Sequence, residues 1–98
     1  MNAIPLPRAL EGFFLLQQKP TAHADILRLE QGRASSDRQE SDPEHVHSLL
    51  LIEGELVLEV DGAGETIRPG ASFTVPKGVK HRFVNRSDKA AVAFRVVA

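Results

Sequence analysis

The sequence predicts an all-β domain, and three observations carry that prediction. No stretch of useful length repeats apolar residues at helical spacing. Apolar runs of strand length recur instead, and in one of them Leu56, Leu58 and Val60 alternate with Glu55 and Glu59, a period of two. Gly, Pro, Asp and Asn punctuate these runs at intervals of about eight to twelve residues, as in a sandwich or barrel.

The elements follow in chain order. Residues 1–12 contain Pro5, Pro7 and Gly12 and read as an extended arm. Phe13–Leu16 is long enough for a short strand. Ala24–Leu29 is a second, with Ile26 and Leu29 in need of burial. This divides the chain into an arm with a possible first strand over 1–23 and a barrel domain over 24–98. The stretch EQGRASSDRQESDPEH, residues 30–45, is polar throughout. It predicts a long loop, and long loops in compact domains are usually mobile or functional.

From His47 the pattern becomes regular. Leu49–Ile52 is a continuous apolar run that Gly54 interrupts, and the alternating run 55–60 follows. Asp61-Gly62-Ala63-Gly64 favours a hairpin turn. Glu65–Arg68 is a short strand closed by Pro69-Gly70, and Ser72–Val75 is another, closed by Pro76-Lys77-Gly78. Lys80–Asn85 then places His81, Phe83 and Asn85 on one face and Arg82, Val84 and Arg86 on the other. Arg86–Lys89 turns the chain, and Ala91–Val97 ends it as a strand.

Composition narrows the function. Ninety-eight residues make one domain with one core. A net charge of −1 supplies no field for nucleic acid or an anionic membrane surface. The absence of cysteine excludes disulfides, thiolate nucleophiles and cysteine-zinc sites. The longest apolar run near the N-terminus, Phe13–Leu16, is too short for a secretion signal or a membrane span. A cytoplasmic protein is expected.

The segment GASFTVPKGVKHRFVN carries a more specific signal. Gly70, Pro76, Gly78, His81 and Asn85 stand at the spacing G-x5-P-x-G-x2-H-x3-N, which resembles the second motif of the cupin superfamily. The resemblance implies a small double-stranded β-helix of the jelly-roll type, with His81 pointing into the barrel. The family's first motif, G-x5-H-x-H-x3–4-E-x6-G, is matched only in part. Taking Gly54 as its last glycine puts His47 where the family has glutamate. The two histidine positions fall on Ser41 and Pro43, or on Glu40 and Asp42. The usual three-histidine, one-glutamate set is therefore not carried over.

His45 and His47 still form a His-x-His pair, and residues two apart on a strand face the same way. With His81 from a neighbouring strand they make a three-imidazole candidate site for a divalent transition metal, Zn, Fe, Ni or Cu. Asp42 or Glu44 would be a fourth ligand or would orient an imidazole. Phe73, Val75, Phe83 and Phe94 are the expected lining of the pocket. Lys77, Lys80, Arg82 and Arg86 cluster near the second motif, but the parity of Arg82 and Arg86 against His81 makes them an outer face. His23 has no spacing partner and is expected at the surface.

Two functions fit. One is a small metal-dependent enzyme of the oxygenase, isomerase or decarboxylase type acting on a small organic molecule. A tyrosine-dependent cupin epimerase is excluded, because the chain has no tyrosine. The other is a metal-free barrel that holds a small ligand without catalysis. The resemblance also implies a homodimer, with arm 1–12 and Phe13–Leu16 as candidate contacts.

Overall fold

A computed structural model describes residues 11–98. Most of the arm read over 1–12 lies outside the described residues. Eight strands follow in order: β1 Gly12–Lys19, β2 Ala22–Leu29, β3 His47–Glu53, β4 Leu56–Val60, β5 Ala63–Ile67, β6 Ser72–Val75, β7 His81–Val84 and β8 Ala91–Val97. They form two antiparallel sheets, of order β1-β2-β8-β3-β6 and β5-β4-β7. Among the described residues there is no helix, and so none long and apolar enough to cross a membrane.

This is the expected all-β jelly roll. The hairpin expected over 61–64 is present between β4 and β5 but tighter, with Asp61-Gly62 as the turn and Ala63 and Gly64 already paired in β5 with Val60 and Glu59. The first strand differs in length from the reading of the sequence. β1 runs to Lys19, well past Leu16, because its polar half, Gln17 to Lys19, finds backbone partners on β2 from Ala24 to Ala22. Edge-strand hydrogen bonds do not require apolar side chains, so hydropathy alone ends this strand too early.

The core lies between the sheets. Leu27, Leu49, Leu51, Leu56, Ile67 and Phe83 are all buried in it. Each full burial of such a side chain is worth about 1.5–3 kcal/mol relative to exposure. The apolar run of β3 splits by parity. Leu49 and Leu51 face the core, while Leu50 and Ile52 stay 41% and 38% exposed on the other face.

The loop expected over 30–45 is laid along β7 as an incomplete extra strand. Ala34 bridges Val84, and Glu40 bridges His81. Glu40 N–H donates to His81 O at 3.0 Å and His81 N–H donates to Glu40 O at 2.9 Å. Ser35 adds two bonds to Phe83: its N–H reaches the Phe83 carbonyl at 2.8 Å, and its Oγ accepts from the Phe83 N–H at 2.9 Å. Polar composition here reflects pairing on one side and solvent on the other.

Asn85 ties these parts together. It is fully buried. Its Nδ2 donates to the carbonyls of Leu29 (3.0 Å) and Lys89 (2.6 Å). Its Oδ1 accepts from the N–H and Oγ of Ser87 at 3.0 and 2.6 Å. Truncation strands buried carbonyls, at about 1–3 kcal/mol for each group left unpaired. Asn85→Ala is therefore expected to lower the thermal midpoint by about 4–8 °C for each kcal/mol lost. A midpoint within a degree of the parent would contradict this network.

Two glycines give a paired test. Gly54 (φ 76°) and Gly78 (φ 77°) both sit in the left-handed region, which costs an alanine roughly 1–2 kcal/mol. At Gly78 an added Cβ meets nothing, whereas at Gly54 it lies 2.8 Å from Ala91 Cα and closer still to the Ala90 carbonyl oxygen. In chemical denaturation Gly54→Ala should lose clearly more stability than Gly78→Ala. Equal losses would argue against the close approach.

Candidate functional site

A cleft of about 340 Å³ opens beside the core at the end of β3 and β7. Strand parity builds it. His81 and Phe83 share the inward face of β7, and His47 leads the inward row His47, Leu49, Leu51 of β3. The edge-laid loop brings Ser35, Ser36, Glu40, Ser41 and Asp42 to the cleft wall. β8 adds Arg95 and β1 adds Phe13.

His47 and His81 meet edge-on, with ring centroids 5.4 Å apart and planes at 85°. Each has a defined proton. His81 Nδ1 lies 3.0 Å from the Val79 carbonyl and must carry hydrogen to bond it. In the neutral ring its Nε2 is then a bare lone pair, in a residue only 9% exposed. His47 Nε2 faces Asp42 Oδ2 at 2.9 Å and is the protonated nitrogen of that ring. The His47 Nδ1 lone pair looks toward Arg95 Nη1 at 3.5 Å.

The electrostatics agree with a neutral His47. Burial lowers the His47 pKa, Asp42 opposes this by its hydrogen bond, and the charge of Arg95 pushes it down further. Asp42 is held well below the usual carboxylate range. Its hydrogen bond from His47 is the largest cause, and bonds from the Glu44 backbone and His45 add to it. Asp42 is thus ionised and His47 neutral at physiological pH.

His45 is set apart from the other two histidines. Its Nδ1 meets Asp42 Oδ2 at 2.9 Å on the loop before β3, and it does not line the cleft. The structure brings His47 and His81 together and places Asp42, not His45, as the third titratable group. Glu44 contributes its backbone N–H to Asp42 Oδ1 at 3.0 Å. Among the described residues, no three His, Asp or Glu side chains stand in an arrangement that holds a metal ion. The ring nitrogens of His47 face a carboxylate and a guanidinium. The donors present do not fit the expected three-imidazole metal centre.

The expected apolar lining also resolves by parity. Phe83 lines the cleft, Val75 is buried in the core and Phe73 packs against it. Phe94 is corrected: it faces the other side of the large sheet. The register sets Phe94 between Ile26 and Leu50, and Arg95 between Asp25 and Leu49, which turns Arg95 inward. Arg82 and Arg86 both bond Glu59, at 2.6 Å each, and Arg82 is the main cause holding the Glu59 carboxyl below its ordinary pKa.

Sequence reasoning missed Asp25 and Arg95. Arg95 Nε and Nη2 reach Asp25 Oδ1 and Oδ2 at 2.9 and 2.5 Å. His23, expected at the surface, lies 3.2 Å from the same carboxylate and is partly covered. The available signal was a lone charge in the inward row of each strand, Asp25 in line with Leu27 and Leu29 and Arg95 in line with Ala93 and Val97.

The cupin-domain family model matches residues 26–97. The chain belongs to the cupin family. Among solved structures, this cupin is similar to a sugar phosphate isomerase of the cupin superfamily from Silicibacter pomeroyi DSS-3. The two share 32% identity and a TM-score of 0.72, over 80% of this chain and 50% of that one. This cupin therefore spans about half the length of the Silicibacter protein. A Cupin 2 conserved barrel domain protein from Salinispora arenicola CNS-205 aligns over 99% of this chain and 87% of its own, at 20% identity and TM-score 0.80. A protein of Thermus thermophilus aligns over 88% and 80%, at 23% identity and TM-score 0.79. The last two likenesses concern the fold alone. No curated protein matches the sequence.

Resolved by NMR, the His47 imidazole should titrate below the ordinary value of 6.5. Asp42→Asn should lower it further, because the carboxylate is what favours the imidazolium. The unfolded chain then takes up this proton at higher pH than the fold does. His47 therefore costs stability progressively as the pH falls below about 6.5 toward its folded value. A His47 titration above 6.5 would contradict burial as the dominant cause.

Proposed function

We propose that this cupin is a metal-independent isomerase of small polyhydroxy carbonyl compounds, with His81 as the group that moves the proton. The observation that carries the reading is the His81 tautomer. A ring whose Nδ1–H is tied to a backbone carbonyl presents an unprotonated Nε2 to the cleft, as a general base requires. The name of the Silicibacter relative supports the choice of isomerisation from the reactions the sequence left open.

The chemistry needs no external oxidant or reductant. His81 Nε2 takes the proton from the carbon between a carbonyl and a hydroxyl. The C–H electron pair becomes the carbon–carbon double bond of an enediolate, and the carbonyl pair moves onto oxygen. The hydroxyl proton passes to that oxygen. His81 then returns its proton to the adjacent carbon, and the carbonyl re-forms one position along. His47, kept neutral and held by Asp42, is not a competing imidazolium. Glu40 is a carboxylate at the wall, suited to accepting hydrogen bonds from substrate hydroxyls, while the Asp42 oxygens are committed to His45, His47 and two backbone amides.

The test is hydrogen–deuterium exchange. A panel of three- to six-carbon aldoses, ketoses and their phosphates is incubated in deuterium oxide with protein dialysed against a chelator, and the α-carbon proton is followed by NMR. Exchange is expected for at least one member, and His81→Gln should slow it by about 100-fold or more. Binding without exchange would reduce this cupin to a ligand-holding module. Stoichiometric metal whose removal abolishes exchange would restore the metal-dependent reading.

A further inference from the structure

We infer that Arg95 is the electrophile of the cleft: its Nη1 edge takes the carbonyl oxygen of the substrate and holds the negative charge that develops there. The inference rests on the isomerase reading and names the group that the reading leaves open. A metal ion is one way to polarise a carbonyl, and a fixed guanidinium is another.

Arg95 is built for presentation. Two of its nitrogens, Nε and Nη2, are bonded to Asp25, which is only 3% exposed. The Phe13 ring lies against the guanidinium, 3.8 Å from its carbon to the ring centroid. Ion pair and ring together fix the plane of the group. The remaining nitrogen, Nη1, points to the cleft, where its contact among the described residues is the His47 Nδ1 lone pair at 3.5 Å. That distance is too long for a strong bond, so a carbonyl oxygen competes for the donor readily. His47 in turn stands edge-on to His81. Base and electrophile thus each contact His47, and all three line the cleft.

Stability does not explain the pair. Buried ion pairs are commonly replaceable by apolar residues of similar volume without loss, because desolvation offsets the attraction. Two apolar side chains on β2 and β8 would close the sheet as well. They would not present an N–H donor to the cleft.

The experiment follows the carbonyl stretch of a bound ketose by infrared difference spectroscopy, with dihydroxyacetone phosphate as first probe and the rest of the isomerase panel behind it. The parent protein is expected to lower the stretch relative to the ketose in water. In Asp25→Asn/Arg95→Gln, which exchanges the ion pair for an amide pair, the shift should vanish. Its kcat should fall by about 100-fold or more, with KM changed only a few-fold. Arg95→Lys serves if the double variant does not fold. One ammonium cannot hold Asp25 with a fork and also serve the cleft, so the shift should again be lost. A shift and kcat that survive in a folded variant would overturn the role of Arg95 alone. A carbonyl unshifted in the parent would do the same. If the parent binds no member of the panel, the isomerase reading falls and this inference with it.

Discussion

The reciprocal backbone pair between Glu40 and His81 is the constraint on which the site depends. β7 has only four residues and is bonded to β4 along one edge. Its other edge is satisfied by a polar segment with no large apolar side chains of its own to bury. Those two bonds, at 3.0 and 2.9 Å, fix the backbone of His81 at the moment the chain leaves the Pro76–Gly78 turn. They also carry Asp42 into reach of His47. The Gly78 N–H adds a bond to the Asp42 carbonyl at 2.9 Å, which joins the turn and the loop directly. The cleft is therefore a product of edge pairing rather than of core packing.

That origin explains what the sequence could and could not tell. Alternation, turn residues and the Gly70-to-Asn85 spacing depend on local backbone geometry, so the strands from β3 to β8 and the inward direction of His81 were legible. The residues around His81 were not. Asp42 was a candidate for orienting an imidazole, but its bond to His47, like the inward placement of Arg95, depends on pairings between segments far apart in the chain, and register fixes those pairings. A one-residue difference in register on β8 exchanges Phe94 for Arg95 at the inner face, and hydropathy favours the wrong one. His45 and His47 share strand parity in principle. But β3 begins at His47, so His45 lies before the strand and its ring turns to Asp42.

The chemistry follows from which protons are committed. Asp42 draws bonds from two imidazoles and two backbone amides and stays ionised. His47 gives one nitrogen to it and is otherwise confronted by a guanidinium. His81 alone, among the three histidines near the loop, combines a donated Nδ1 proton with a free nitrogen facing the cleft. A neutral imidazole, an oriented cation and the Glu40 carboxylate at the cleft wall are the set on which the proposed proton shift rests.

Nitrogen-15 NMR of the histidine rings tests the central claim most directly. In the protein as purified, His81 should show a protonated, pyrrole-type Nδ1 and an unprotonated, pyridine-type Nε2 at neutral pH. The opposite tautomer, or a metal-shifted Nε2 signal that reverts only with a chelator, would contradict a free base in the cleft.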